Sequence, residues 1–384
     1  MTMTGVRRVA ALLLAGAACG GDSPVALKPL VLVAQGRAER GLTVHVALQR
    51  DGDSTLVVAK TITTSPADAA MVSANGDVLL IKAGTTTISA TTPDGTALTL
   101  AIAVAVPPTV VFDGLAASNR DVYRVSLDGT DLTRLTTHPA DDVHPTAVGG
   151  VLVFTSFRDG NAELYTVSID GAGERKRTDS RTAETQPSLS PDGKRVAYTS
   201  NASGVLKVWI ASIDLASTAQ ISGAAALSPA SFGNSFSTEA TPAWAPASDR
   251  LVLVATATPS GGSGLFTAAA TAGTLPVLVV GSGTQIVELE PSWSSDGFRF
   301  AYASPVSGTS EIFIRDVRTS TVTQLTRNTG SSGHPAWLPD GRVLFTTFAG
   351  TTSTIRWVDP ALPLELHTIT TTGLVAEHPA PVRP

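Results

Sequence analysis

Six residues that stand directly before a proline carry most of the chemistry this sequence offers: His144, Gln186, Thr241, Glu290, His334 and His378. They recur at intervals of 42, 55, 49, 44 and 44 residues. Three imidazoles and a carboxylate, brought together, make a donor set for a borderline divalent metal, with imidazole nitrogens ~2.0–2.1 Å from zinc. The same groups can instead hydrogen-bond from one repeating unit to its neighbour. Clustered imidazoles repel one another as cations, so without an acidic partner they titrate below ~6.5. Two further acidic series, Asp128, Asp170 and Asp214, and Asp192, Asp296 and Asp340, recur in unit after unit. Such recurrence fits turn chemistry, whereas paired-carboxylate catalysis needs two acids on one side of a cleft. No G-x-S-x-G elbow, phosphate-cradling loop, dinucleotide fingerprint or H-E-x-x-H is present, so the common hydrolase and nucleotide routes have no support.

A repeat has to position those residues, and one is visible in the chain. Apolar or aromatic residues close one strand (Phe112, Phe154, Tyr198, Val254, Tyr302, Phe345), and an aromatic follows eleven or twelve positions later (Tyr123, Tyr165, Trp209, Phe266, Phe313, Trp357). After most of the prolines come Ser-Pro-Asp-Gly-like turns, as at Ser190–Gly193, Ser294–Gly297 and Leu338–Gly341. Proline pre-sets the turn, Asp bonds the local backbone and Gly accepts positive φ. Each unit reads as four strands: one after the proline, one after the turn, one with the aromatic, and a last one such as Val322–Thr326. Six four-stranded units of about 45 residues predict a six-bladed β-propeller over 109–384. The first unit lacks its Pro-x-Trp strand, and Glu377–Val382 is a spare copy, so the C-terminal strand is expected to complete the first blade. In circular order His334, His378 and His144 then become consecutive at the mouth of the channel, flanked by Glu290 and Gln186.

The Pro-x-Trp-Ser-Pro-Asp-Gly pattern resembles the TolB-type, or PD40, propeller family throughout 109–384. That family includes periplasmic TolB proteins, which bind envelope partners such as the lipoprotein Pal. It also includes the propellers of prolyl-oligopeptidase-like peptidases and of oligogalacturonate lyases. The resemblance implies a fold more than an activity. The lyases hold a metal with His and Gln in the channel, but one residue per blade does not reproduce their motif, and their activity is not carried over. A hydrolase domain after the propeller is not expected.

The N-terminal end reads differently. Arg7 and Arg8 precede the apolar run Val9–Ala18, which is too short to span a bilayer and describes a secretory signal over 1–18. The one cysteine, Cys19, follows it and opens a Gly-rich tether, 19–24. This segment resembles a bacterial lipoprotein signal, with Gly16 where such signals usually carry a branched residue; the resemblance implies lipidation of Cys19. Residues 25–106 alternate apolar and polar positions between turns at Asp51-Gly52, Asn75-Gly76 and Pro93-Asp94-Gly95, which predicts a β-sandwich. Asn75-Gly76-Asp77-Val78, Ala83-Gly84 and Ile88-Ser89-Ala90 resemble bacterial Ig-like group 2 modules, which serve as spacers or adhesive units. Pro107-Pro108 marks the boundary.

Composition narrows the partners. A net charge of −5, with no Lys/Arg run, argues against nucleic acid, which demands a basic stripe. The expectation is an all-β, exported, lipid-anchored envelope protein of the periplasm or outer membrane. It has an Ig-like sandwich before its propeller and acts without catalysis as a platform for another envelope protein or a surface polymer. It has no cofactor, unless His144, His334 and His378 hold a divalent metal at the channel mouth and act on an oligosaccharide or peptide. The longest insert, Ser222–Thr238, with Phe232 and Phe236, is read as a partner-contact loop or a mobile insertion.

Overall fold

A computed structural model describes residues 30–50, 56–57, 59, 61–73, 75–228, 236–257, 263–280, 289–327 and 330–384. The signal segment, Cys19 and Phe232 lie outside the described residues. Every regular element among them is a β-strand. The chain divides into two units, Met1–Pro107 and Pro108–Pro384.

In the first unit Leu30–Gln35, Thr43–Arg50, Leu56–Val57, Ala70–Val72 and Asp77–Leu80 form one sheet, and Thr61–Ser65, Gly84–Thr91 and Ala97–Val104 a second. Alternation explains how they pack. In Ala97–Val104 the residues Leu98, Leu100, Ile102 and Val104 are buried while those between them are exposed. They share one apolar core with Leu32, Val44, Val46, Leu48, Val78 and Leu80 of the other sheet, as the period of two requires. The turn before Asp77 needs its glycine: Gly76 has φ +89°, and a Cβ there would lie 2.6 Å from the Val46 carbonyl oxygen.

The second unit is built of four-stranded groups. Thr109–Leu115, Arg120–Ser126 and Thr133–Arg134 take their fourth strand from the C-terminal end. Val375–Arg383 runs antiparallel to Thr109–Leu115, with Ala376 opposite Gly114 and Ala380 opposite Val111. It also touches the next group through two parallel pairs, Ala147–Val382 and Val148–Arg383. Those four strands and the next group, Asp142–Val148, Val151–Ser156, Glu163–Ser168 and Arg175–Lys176, are therefore one sheet. Four four-stranded sheets follow, opening with Glu184–Leu189, Phe236–Trp244, Leu289–Trp293 and Ser331–Trp337. Neighbouring groups bury their faces against each other. Ala197, Val208 and Ile210 of one pack with Trp244, Leu253 and Phe266 of the next, and Ala301 and Ile312 pack with Trp337 and Phe345. That two-sided burial is why the central strands are apolar almost throughout.

The turns use the residues expected of them. Ser190 Oγ bonds Asp192 Oδ1 at 2.5 Å, and Asp192 accepts the Lys194 N–H at 3.1 Å. Ser294, Asp296 and the Phe298 N–H repeat the arrangement at 2.5 and 2.9 Å. Three details differ from the sequence reading. In the fourth repeat the residue that faces Phe266 is Leu253 rather than Val254, and the strand runs on to Ala257. In the last repeat Trp357 faces Leu344, and Arg356 faces Phe345. Spacing alone does not reveal such shifts, because a bulge or a longer turn displaces register without changing composition. The third concerns Ser222–Thr238, which is not one loop: Ser222–Ala226 is the outer strand of its sheet, and Phe236 opens the next strand opposite Ala257.

Candidate functional site

The prolines sit inside the first strand of each group rather than before it, and all six interrupt the ladder in one way. Val143 faces Thr155 and Thr146 faces Val153, so His144 and Pro145 together oppose the single residue Phe154. The same two-against-one bulge recurs at Gln186, Thr241, Glu290, His334 and His378. Proline has no N–H to give to a ladder, so a bulge is where it fits. The residue before it takes up the left-handed backbone, with φ between 47° and 55° at all six positions. None is glycine, and each such residue costs on the order of 1–3 kcal/mol. Six strained positions are held in place by the surrounding sheets, and their side chains line a single cavity of about 150 Å3.

The bulges turn backbone N–H groups towards the preceding repeat, where side chains accept them. The His144 N–H donates to Asp113 Oδ1 at 3.1 Å, and that of Gln186 to Thr155 Oγ1 at 3.2 Å. The Thr241 N–H donates to Gln186 Oε1 at 3.3 Å, and that of His334 to Glu290 Oε2 at 2.8 Å. The His378 N–H donates to His334 Nδ1 at 3.5 Å. Three of the ring side chains thus cap the next member of the same ring.

Charge concentrates where the first and last strands of the second unit meet. Asp113 is fully buried. It accepts from His378 Nδ1 at 2.8 Å and from Arg120 Nη1 at 2.8 Å, and Arg120 reaches Glu377 at 2.6 Å with its other nitrogen. Burial disfavours the Asp113 carboxylate, but His378, His144 and Arg120 outweigh it and hold its pKa at about 2. Burial likewise opposes charge on His378, yet Asp113 raises that imidazole above its ordinary value. For Glu290, burial is outweighed by the His334 hydrogen bond and the nearby imidazoles, which keep its carboxyl below the usual range. At His144 the pull of Asp113 and Glu290 is outweighed: burial, then repulsion by His378, push it down to about 4. Its ring meets that of His378 edge-on at 4.2 Å, and its Nδ1 has no partner among the described residues.

Glu290, His334 and His378 offer ligand atoms all within 4.8 Å of one another. The trio differs from the expected His144, His334 and His378: Glu290 takes the place of His144, whose ring packs on His378 without joining the set. His378 suits a metal, because its Nδ1 is taken up by Asp113, which fixes the ring and leaves Nε2 as the ligand atom. His334 does not suit one. Its Nδ1 accepts the His378 N–H, with the Thr346 hydroxyl 3.4 Å away, so Nε2 carries the hydrogen and points it at Glu290 Oε1, 3.0 Å away. A ligating Nε2 would have to send that hydrogen to Nδ1, where a second N–H already points. The geometry fits a Glu290–His334 hydrogen-bonded pair better than a metal cage.

The remaining candidates have local roles. Gln186 Oε1 also receives the Thr199 hydroxyl at 3.0 Å, and Thr241 Oγ1 is buried without a partner among the described residues. Asp128, Asp170 and Asp214 accept backbone N–H groups two residues on, at 3.0–3.1 Å. Tyr165 and Trp357 are buried in the sheets. Sequence reasoning missed Asp113 and Arg120; the one signal is an acid, Asp113, inside the otherwise apolar strand Thr109–Leu115.

A family model described as the TolB beta propeller domain matches residues 78–232. Among solved structures the chain is similar to TolB from Acinetobacter baumannii, at 14% identity and a TM-score of 0.60 over 82% of each chain. It is also similar to a putative TolB from Agrobacterium tumefaciens, at 15% identity and a TM-score of 0.51 over 68% of this chain and 88% of that one. A chain of a nidogen/laminin complex matches with 9% identity and a TM-score of 0.54 over 71% of this chain and 98% of its own. A search of curated proteins finds no match. The second unit has a TolB-like propeller fold.

Proposed function

We propose that Pro108–Pro384 is a six-bladed ring whose first blade is completed by Val375–Arg383, and that it serves as a rigid, non-catalytic binding platform. The first unit is an Ig-like spacer. The protein is exported to the cell envelope and held to a membrane through lipidated Cys19, where the propeller captures another envelope protein or a surface polymer. One observation carries this reading: four polar side chains at the channel mouth and behind it are spent on the ring itself. Asp113, Gln186, Glu290 and His334 each accept a backbone N–H from the following repeat, which stiffens the scaffold on which a partner docks. The likeness to TolB supports the same class of role.

Cross-linking in intact cells, followed by reconstitution with the purified partner, tests the reading. A saturable complex with one envelope component is expected, and Cys19→Ser should move the protein from the membrane to the soluble fraction. Failure to reconstitute any complex, or membrane retention of the Cys19→Ser chain, would count against it. A second reading, a metal-dependent enzyme on oligosaccharide or peptide, draws on the Asp113–His378 contact behind the Glu290 trio. Metal analysis of Glu290→Gln against the parent separates the two: that change keeps one oxygen, for the backbone N–H of His334, but removes an anionic ligand. On the platform reading it leaves metal content and partner capture unaltered.

A further inference from the structure

The opposite end of the same strands carries a feature with no part in the reading above. Five residues beyond each ring position, the first strands reach Gly149, Pro191, Pro246, Ser295, Pro339 and Arg383. Five of these six (all but Gly149) line a second cavity of about 200 Å3, walled by Trp244, Trp293 and Trp337. Arg383 is the one charged member of this series. Its backbone is fixed, since it pairs with Val148 and its carbonyl accepts the Gly149 N–H at 3.0 Å. Among the described residues its guanidinium has no hydrogen bond, ion pair or stacked ring, and its apolar surroundings lower its pKa.

The carboxylates of the adjoining turns are engaged elsewhere. Asp192 holds Ser190 and the Lys194 N–H, Asp296 holds Ser294 and Arg299, and Asp340 holds Arg342. A guanidinium among indoles and prolines without an anion is unfavourable, and its planar fork matches the two oxygens of a carboxylate. The walls suit an apolar body, and the volume lies below the ~300–1,000 Å3 typical of larger ligands. We propose that this mouth binds a small carboxylate with an aromatic or branched apolar body, Arg383 gripping the carboxylate and the three indoles packing the remainder. Such a group is found on a free acid or at the C-terminal end of a peptide, and both meet the same chemistry.

The test is calorimetric titration of the full chain with 3-phenylpropanoate, 3-phenylpropanamide and the peptide Gly-Gly-Phe, with tryptophan fluorescence as a second readout. The acid should bind saturably and at least about tenfold more tightly than the amide, as a charge-assisted pair requires. Arg383→Met should erase that preference while leaving the unfolding midpoint in place, and Arg383→Gln serves if the Met variant does not fold. Gly-Gly-Phe binding as tightly as the free acid assigns the site to chain ends, and binding about tenfold more weakly assigns it to free acids. Equal binding of acid and amide, no saturation by about 10 mM, or an unaltered acid affinity in the folded Arg383 variant overturns the proposal.

Discussion

Replacing His144 probes the physics of the ring most directly. The folded protein keeps this imidazole neutral down to about pH 4, against 6.5 for a free one. As pH falls through 6.5 the unfolded chain gains a proton that the folded state refuses. The contribution is therefore fully present above pH 6.5 and is lost on the way down to about pH 4. Each pKa unit is worth about 1.4 kcal/mol, so the gap amounts to about 3 kcal/mol, and solvent reaching the exposed part of the ring trims it to about 2. Asp113, held at about 2, remains charged across that window and adds little. His378 acts with the opposite sign, because its raised pKa favours the folded state at low pH; it is present in both proteins compared. The comparison is wild type against His144→Asn, since Asn tolerates positive φ well. Urea unfolding is followed by fluorescence at pH 7 and pH 4, and all five tryptophans lie in the second unit. Wild type should lose about 2 kcal/mol more than the variant between the two pH values. A difference under about 0.5 kcal/mol, beyond fitting error, would mean that His144 is not held neutral by its neighbours.

Other perturbations have equally definite outcomes. Deleting 376–384 removes the pairing with Thr109–Leu115 together with the Glu377–Arg120 and His378–Asp113 contacts; scanning calorimetry should show the cooperative transition of the second unit lost rather than slightly lowered. Asp113→Ala removes the buried acceptor of the His144 N–H, the His378 ring and one Arg120 nitrogen, leaving Arg120 with Glu377 alone, at a cost of about 3–5 kcal/mol in denaturant unfolding. For the wild type, the Asp113 contribution is present above pH 3.8 and disappears as pH falls towards 2. Trp244→Phe should destabilise by about 1 kcal/mol more than Trp293→Phe. The first breaks the 2.9 Å bond from Nε1 to the Ser188 carbonyl, whereas Trp293 Nε1 has no partner among the described residues.

Much of the second unit was readable because its signals are local. A Pro-Asp-Gly turn is recognised from three adjacent residues, and strands buried on both faces betray themselves by apolar runs such as Val151–Phe154. The bulges were not readable: proline marked each position, but whether the residue before it turns left-handed depends on the facing strand. Register slips hide in the same way, which is why spacing points to Val254 in place of Leu253 and pairs Trp357 with Phe345. The ring histidines were picked out by type and spacing. Their partners were missed because Asp113 and Arg120 recur in no other repeat at matching positions.

Residue order alone determined the all-β character, the repeat and the identity of the six pre-proline side chains, since these follow from periodicity, turn chemistry and composition within a few neighbours. Only the tertiary structure decided what those side chains do. Hydrogen-bond roles depend on distances between residues as far apart as Asp113 and His378, and a nitrogen's proton is assigned by whichever donor folding brings against it. By that route His334 became a cap and Glu290 its partner, while Arg383, ordinary in the sequence, came to line a cavity walled by three indoles.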